Sequence, residues 1–143
     1  MKIALLGYGK MGKMIETIAQ DKGHNIHLII DADATENDWN KLSDCDVAIE
    51  FSRPESAVNN ILKCFESKVP VVVGTTGWYN AYDQISNACK QYQGALMTAT
   101  NFSIGVNLFF HINKILAQAM NNLPEYNVSI QEIHHTQKLD APS

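Results

Sequence analysis

Two stretches of this chain carry residue types whose spacing suits chemistry. The first is Gly7-Tyr8-Gly9-Lys10-Met11-Gly12, a GxGxxG pattern directly behind the apolar run Lys2–Leu6. The first glycine permits a tight turn. The second lets backbone approach a pyrophosphate with no Cβ in the way, and the third lets the following helix pack closely on the strand. The N–H groups that open such a helix lack an intrahelical acceptor and face the anion. The second stretch runs from Glu132 to Ser143 and sets His134, His135 and Lys138 within five positions. Histidine titrates near neutrality, and lysine can give a proton or hold a carboxylate. Together they suit an anionic substrate that is protonated as it is reduced. Neighbouring side chains on a regular strand point to opposite faces, so both histidines serve one site only where the chain leaves the strand. Taken alone, the segment equally suits a solvated loop. Adjacent histidines without a third ligand make a poor zinc site, and no metal is expected.

Further candidates close the other apolar runs. Asp31 lies 19 positions after Gly12 (31 − 12) and ends the run Ile26–Ile30. A carboxylate there accepts hydrogen bonds from the adenosine ribose and favours NADH over NADPH. Ala32, the next residue, is not an arginine that could hold a 2′-phosphate, although a strand-end cap would also account for Asp31. Three clusters follow the later runs: Glu50-Phe51-Ser52-Arg53-Pro54, Gly74-Thr75-Thr76-Gly77-Trp78 and Ala99-Thr100-Asn101-Phe102-Ser103. Small residues there leave room for a nicotinamide, and backbone N–H groups and threonine hydroxyls can hold its carboxamide. A plain turn competes for Gly74–Gly77. Phe51 and Phe102 suit packing as well as contact with a nicotinamide, and Trp78 suits a lid or the core better than a ligand contact.

The elements that must position these residues alternate. Strands are expected at Lys2–Leu6, Ile26–Ile30, Asp46–Phe51, Val69–Val73 and Ala95–Thr98. Helices are expected at Met11–Lys22, from Pro54 to about Ser67, and at Tyr79–Tyr92, while Ala32–Ser43 reads as a loop with room for one helical turn. Near-continuous apolar strands alternating with helices imply an α/β fold, a doubly wound parallel sheet covered on both faces. Ligands then sit beyond the carboxyl ends of the strands, where all the clusters above fall. After residue 103 the rhythm changes. Ile104–Leu123 reads as an amphipathic helix with Leu108, Ile112, Ile115, Leu116 and Ala119 on one face, and Tyr126–His134 alternates like a strand that has no partner in this sequence. The expected organisation is a dinucleotide-binding Rossmann domain over 1–103 and the start of an α+β domain over 104–143.

Composition narrows the function classes. Hydrophobic residues make up 45% of the 143 and charged residues 18%, which permits a packed core and argues against disorder. A net charge of −4 with no Lys/Arg cluster disfavours nucleic acid as a partner. No apolar run is long enough for a membrane span, so a cytoplasmic protein is expected. Cys45, Cys64 and Cys89 are odd in number and lack CxxC spacing, and read as reduced packing residues.

Four stretches in order make the chain resemble the dihydrodipicolinate reductase (4-hydroxy-tetrahydrodipicolinate reductase) family of bacterial lysine biosynthesis by the diaminopimelate route. They are Gly7–Gly12, Gly74-Thr75-Thr76-Gly77, Asn101-Phe102-Ser103-Ile104-Gly105-Val106-Asn107 and Glu132–Ser143. The last is the most specific, pairing two histidines and a lysine with Asp140-Ala141-Pro142-Ser143. The resemblance implies hydride transfer from NADH or NADPH with loss of water, giving tetrahydrodipicolinate. It implies His134 as catalytic acid/base, Lys138 as proton donor, and His135 and Ser143 as contacts to a small anionic dicarboxylate. It implies cofactor contacts from Gly7, Tyr8, Gly9, Lys10, Met11, Gly12, Asp31, Gly74, Thr75, Thr76, Ala99, Thr100, Asn101 and Phe102, and a homotetramer at full length. The Gly-Thr that the family pattern sets after Ser143 does not follow here. The chain is therefore expected to be a piece of a longer, active enzyme and inactive alone, lacking part of its substrate site. Two rivals remain at this point. A small aspartate or homoserine dehydrogenase-like oxidoreductase would not be expected to carry the His-His-x-x-Lys-x-Asp-Ala-Pro-Ser segment. A non-catalytic NADH-binding module would have no need of His134 or Lys138.

Overall fold

The structure, a computed structural model, describes residues 1–131 and residue 133. The chain divides into two units, Met1–Phe102 and Ser103–Ser143.

The first unit alternates β1 (Lys2–Leu6), α1 (Lys10–Asp21), β2 (Asn25–Ile30), α2 (Glu36–Trp39), β3 (Val47–Glu50), α3 (Pro54–Glu66), β4 (Val71–Val73), α4 (Tyr82–Tyr92) and β5 (Leu96–Thr98). All strand pairs are parallel, in the order β2-β1-β3-β4-β5. Strand order reverses at β1, whose neighbours are β2 and β3, so the carboxyl ends of β1 and β3 form the switch point where such sheets open a crevice. The α/β reading of the sequence stands.

Two apolar layers hold the sheet. Ala4, Leu6, Leu28, Ile30, Ala48, Val71 and Val73 pack with α3 residues Ala57, Ile61, Cys64 and Phe65 and with Ile85 of α4. On the other face Ile3 and Leu5 meet Ala19 of α1, with Ile15 packed alongside. Successive strand residues thus feed opposite layers, as the two-residue period of a strand requires. Cys45, Cys64 and Cys89 are free thiols, and burial pushes the Cys64 thiol up to about 12, with the charge of Glu50 adding to it.

Local boundaries follow backbone chemistry. β4 starts at Val71, not at the expected Val69, because Pro70 has no N–H to give the ladder; its carbonyl still accepts from the Ala48 N–H (2.8 Å). The expected helix over Tyr79–Tyr92 is a 3-10 turn at Tyr79–Ala81 followed by α4. The turn expected somewhere in Ala32–Ser43 is α2, held by a capping box: the Thr35 N–H and hydroxyl donate to Asp38 Oδ2 (3.0 and 2.8 Å).

Among its described residues the second unit contains one long helix, α5 (Ile104–Met120), whose N-cap Ser103 accepts from the Val106 N–H (3.4 Å). It ends three residues short of the expected Leu123, where Asn121 and Asn122 turn the chain. Of the strand expected over Tyr126–His134, the described residues 126–131 and 133 have no regular structure, and Glu132 and His134 lie outside the described residues. Val128 and Ile130 are each 80% exposed. Alternation prepares a strand, but the pairing comes from a neighbour, and all five strands of the sheet lie in the first unit.

Candidate functional site

The hydrogen-bond ladder runs one residue past each central strand and aligns the loops. Gly7 N–H donates to Ile30 O (2.7 Å), Phe51 N–H to Leu6 O (2.8 Å) and Gly74 N–H to Glu50 O (2.9 Å). The segments that open at Gly7, Asp31, Phe51 and Gly74 are therefore set side by side along one edge.

The glycine loop is shaped by what it excludes. Gly7 has φ +94°, and a Cβ there would overlap the Phe51 carbonyl oxygen. A Cβ on Gly12 would overlap the Gly7 carbonyl oxygen, which is the close helix–strand packing the motif serves. Gly9 differs: nothing lies within 4 Å of where its Cβ would stand. It is the N-cap of α1 and has no side chain to cap with. The Lys13 N–H makes a helical bond to Gly9 O (3.1 Å), so the N–H groups from Lys10 through Gly12 have no helical acceptor. Tyr8 donates its hydroxyl to Glu16 on α1. That bond, with desolvation and the Glu16 charge, raises the tyrosine pKa and keeps the phenol neutral.

A polar network built on Glu50 holds the next loop. Glu50 is fully buried at the end of β3, the one buried charged side chain among the described residues. Its Oε1 accepts from the Ser52 N–H (3.2 Å), the Ser52 hydroxyl and Asn60 Nδ2 (3.3 Å). The Ser52 N–H also reaches Thr75 Oγ1 (2.8 Å), tying this loop to the one after β4. Gly74 leaves room for the Phe51 ring, which a Cβ would strike. Trp78 is core, 1% exposed, and donates its indole N–H to Thr75 O (2.8 Å).

Two cavities open between these loops. One, about 440 Å³, is lined by Gly7–Gly9, Ile30–Ala32, Ala34, Trp39, Phe51–Arg53, Ser56 and Asn60. The other, about 370 Å³, is lined by Gly9–Met11, Phe51, Ser52, Pro54 and Gly74–Thr76. They share Gly9, Phe51 and Ser52.

The cavities gather Gly7, Tyr8, Gly9, Lys10, Met11, Asp31, Gly74, Thr75 and Thr76 from the residues expected on sequence grounds. Gly12 lies behind them as a packing glycine. Ala99, Thr100, Asn101 and Phe102 follow β5 and line neither cavity; the Phe102 ring stands 6.2 Å from that of Phe51. His134, His135, Lys138 and Ser143 lie outside the described residues. Sequence reasoning missed Trp39, Ser56 and Asn60. It named Arg53 within a strand-end cluster without giving the adenosine end a cation. Glu50 carried one visible signal, a charge inside an otherwise apolar strand.

Two family models match the chain, one after the other. Residues 1–102 match the model of the dihydrodipicolinate reductase N-terminus, and residues 105–143 that of its C-terminus. A 4-hydroxy-tetrahydrodipicolinate reductase from Christiangramia forsetii is 49% identical over all 143 residues, which cover 59% of that protein. The one from Neisseria gonorrhoeae is 36% identical over 128 residues, covering 90% of this chain and 46% of the relative. The chain thus spans about half the length of the curated relatives it matches. A solved structure, a dipicolinate-bound dihydrodipicolinate reductase from Paenisporosarcina sp. TG-14, superposes with a TM-score of 0.70 at 25% identity, covering 99% of this chain and 61% of its own.

Proposed function

Because this chain belongs to the dihydrodipicolinate reductase family, a family of NAD(P)H-dependent oxidoreductases, we propose that it forms the dinucleotide-binding part of a 4-hydroxy-tetrahydrodipicolinate reductase. One observation carries the cofactor reading: the two cavities meet at Gly9. A pyrophosphate at Gly9 sends one nucleoside into each. The residues fit such a ligand. The space above Gly9 is open, and the N–H groups at the start of α1 supply donors for an anion. Asp31 in the larger cavity receives the adenosine ribose hydroxyls. Thr75, Thr76 and the small Gly74 in the other suit a nicotinamide carboxamide. When bound, the reduced nicotinamide supplies the hydride. Ala99–Phe102, which follow β5 and line neither cavity, reach the nicotinamide in this reading only once the cofactor is bound.

The chain's own contribution to the chemistry lies at its far end. His134 exchanges a proton with the substrate, Lys138 delivers one, and His135 and Ser143 hold carboxylates of a small anionic dicarboxylate. NADH is the preferred donor, since Asp31 would repel a 2′-phosphate. Arg53 on the same cavity supports a second reading in which NADPH is also accepted. Residues 104–143 begin a substrate and oligomerisation domain, the full-length enzyme is a homotetramer, and its setting is the cytoplasm. Among the described residues no helix is long and apolar enough to cross a membrane.

The test places His134→Ala and Lys138→Ala in a polypeptide of the relatives' full length. Turnover is expected to fall steeply, followed as loss of NADH absorbance on substrate addition, with NADH affinity unchanged. Undiminished turnover in both variants would remove the catalytic roles. The 143-residue chain alone is expected to show no turnover, and a rate like that of a full-length relative would contradict this.

A further inference from the structure

We propose that Trp39 is the adenine-binding wall of the larger cavity and sets the affinity of this chain for the adenosine half of its ligand. The inference rests on the dinucleotide reading above and assigns a residue that the glycine loop and Asp31 do not.

The larger cavity is lined by Gly7–Gly9, where the helix start receives phosphate, by Ile30–Ala32 beside them, and by Ala34 and Trp39 further along the segment after β2. A purine beyond a ribose held at Asp31 needs a flat apolar surface along that segment. Three aromatic residues line the cavity: Tyr8, Phe51 and Trp39. Two are committed elsewhere. The Tyr8 hydroxyl is turned to Glu16 on α1. The Phe51 ring fills the space above Gly74 and approaches Phe102 at 6.2 Å, on the side of the smaller cavity. Trp39, on the segment that follows Asp31, is half-buried against the main core and still lines the cavity.

Its ring is held in place. Lys63 Nζ lies over it, 4.5 Å from the centroid, and pairs with Glu36 Oε1 at 2.9 Å. The ammonium thus joins α3 to α2 and occupies one face of the indole. The capping box of Thr35 and Asp38 fixes the single turn from which Trp39 projects. Indole is a large π surface on which bases stack without regard to their hydrogen-bonding edges.

ADP-ribose is the probe, since it carries adenosine and pyrophosphate without nicotinamide. Calorimetry should show saturable binding to the wild-type chain, binding within about threefold of it for Trp39→Phe, and at least about 10-fold weaker binding for Trp39→Ala. Equal affinity for wild type and a folded Trp39→Ala overturns the inference. Fluorescence gives a second readout that does not depend on the alanine variant folding. Trp39 and the buried Trp78 are the two tryptophans. ADP-ribose should quench the wild-type emission, and the quench should vanish in Trp39→Phe. A quench of the same size in Trp39→Phe would come from Trp78 and would overturn the assignment. If the folded wild-type chain does not bind ADP-ribose at all, the dinucleotide reading fails first, and the inference with it.

Discussion

The two units treat their apolar residues differently. In Met1–Phe102 the central strands β1, β3 and β4 and the inner faces of α3 and α4 carry the cover: Leu6, Ala48, Ile61, Phe65, Val73 and Ile85 have no measurable exposure. In the second unit α5 has no buried residue, and Leu108, Ile112, Ile115 and Leu116 are each more than half exposed. Both stretches show hydrophobic periodicity. Periodicity tells which face of an element wants cover, whereas packing energy arises only where another element supplies it. The first unit is therefore where substitutions should cost stability and ligand affinity, and α5 is where they should cost little.

The largest effect is expected at Gly7. Gly7→Ala puts a side chain at φ +94° and against the Phe51 carbonyl, which should cost about 2–5 kcal/mol from the left-handed backbone and the overlap together. Chemical denaturation should show that loss, and NADH binding should vanish with it. Next is Ile61→Ala, a cavity in the main core, at about 2–5 kcal/mol by the same measurement. Asp31→Ala should leave the fold intact and weaken ADP-ribose binding about 10-fold or more, as loss of hydrogen bonds to a charged group does; unchanged affinity would remove its ribose role. Ile115→Ala on α5 should shift stability by no more than about 0.5 kcal/mol. A loss like that of Ile61→Ala would break the contrast between the units.

The smallest effect is electrostatic. The Thr35 backbone N–H, then its hydroxyl and Lys41, hold the Asp38 carboxyl down at about 2. A carboxylate whose folded pKa is depressed stabilises the fold while ionised: fully above its unfolded value near 4, and no longer once pH has fallen through its folded value near 2. The melting-temperature gap between wild type and Asp38→Asn should accordingly close as pH drops from about 4 to about 2. A gap constant across that range would show that the capping carboxylate contributes nothing.

Much of the site was legible because backbone constraints write themselves into contiguous residues. A turn at φ +94° and a helix packed on a carbonyl select glycine at fixed spacing, so Gly7–Gly12 could be read directly, and Asp31 and Gly74–Thr76 followed from where apolar runs stop. Trp39, Ser56 and Asn60 come together only when α2 and α3 fold over the ends of β2 and β3. No local spacing announces that convergence. Pro70 could have been read as shortening β4, since its missing N–H is visible in the sequence. The described part of the strand expected over Tyr126–His134 is irregular for the opposite reason: its alternation is local, and its pairing is not.

The account stands or falls on whether a pyrophosphate docks at Gly9. Gly9→Val starts a side chain at a Cβ position with nothing but its chain neighbours within 4 Å, on a backbone whose φ of −77° is outside the left-handed region. Calorimetric titration with NADH should give saturable one-to-one binding to the wild-type chain and none to Gly9→Val, with the two melting temperatures nearly equal. A Gly9→Val chain that binds NADH as tightly as wild type would contradict it.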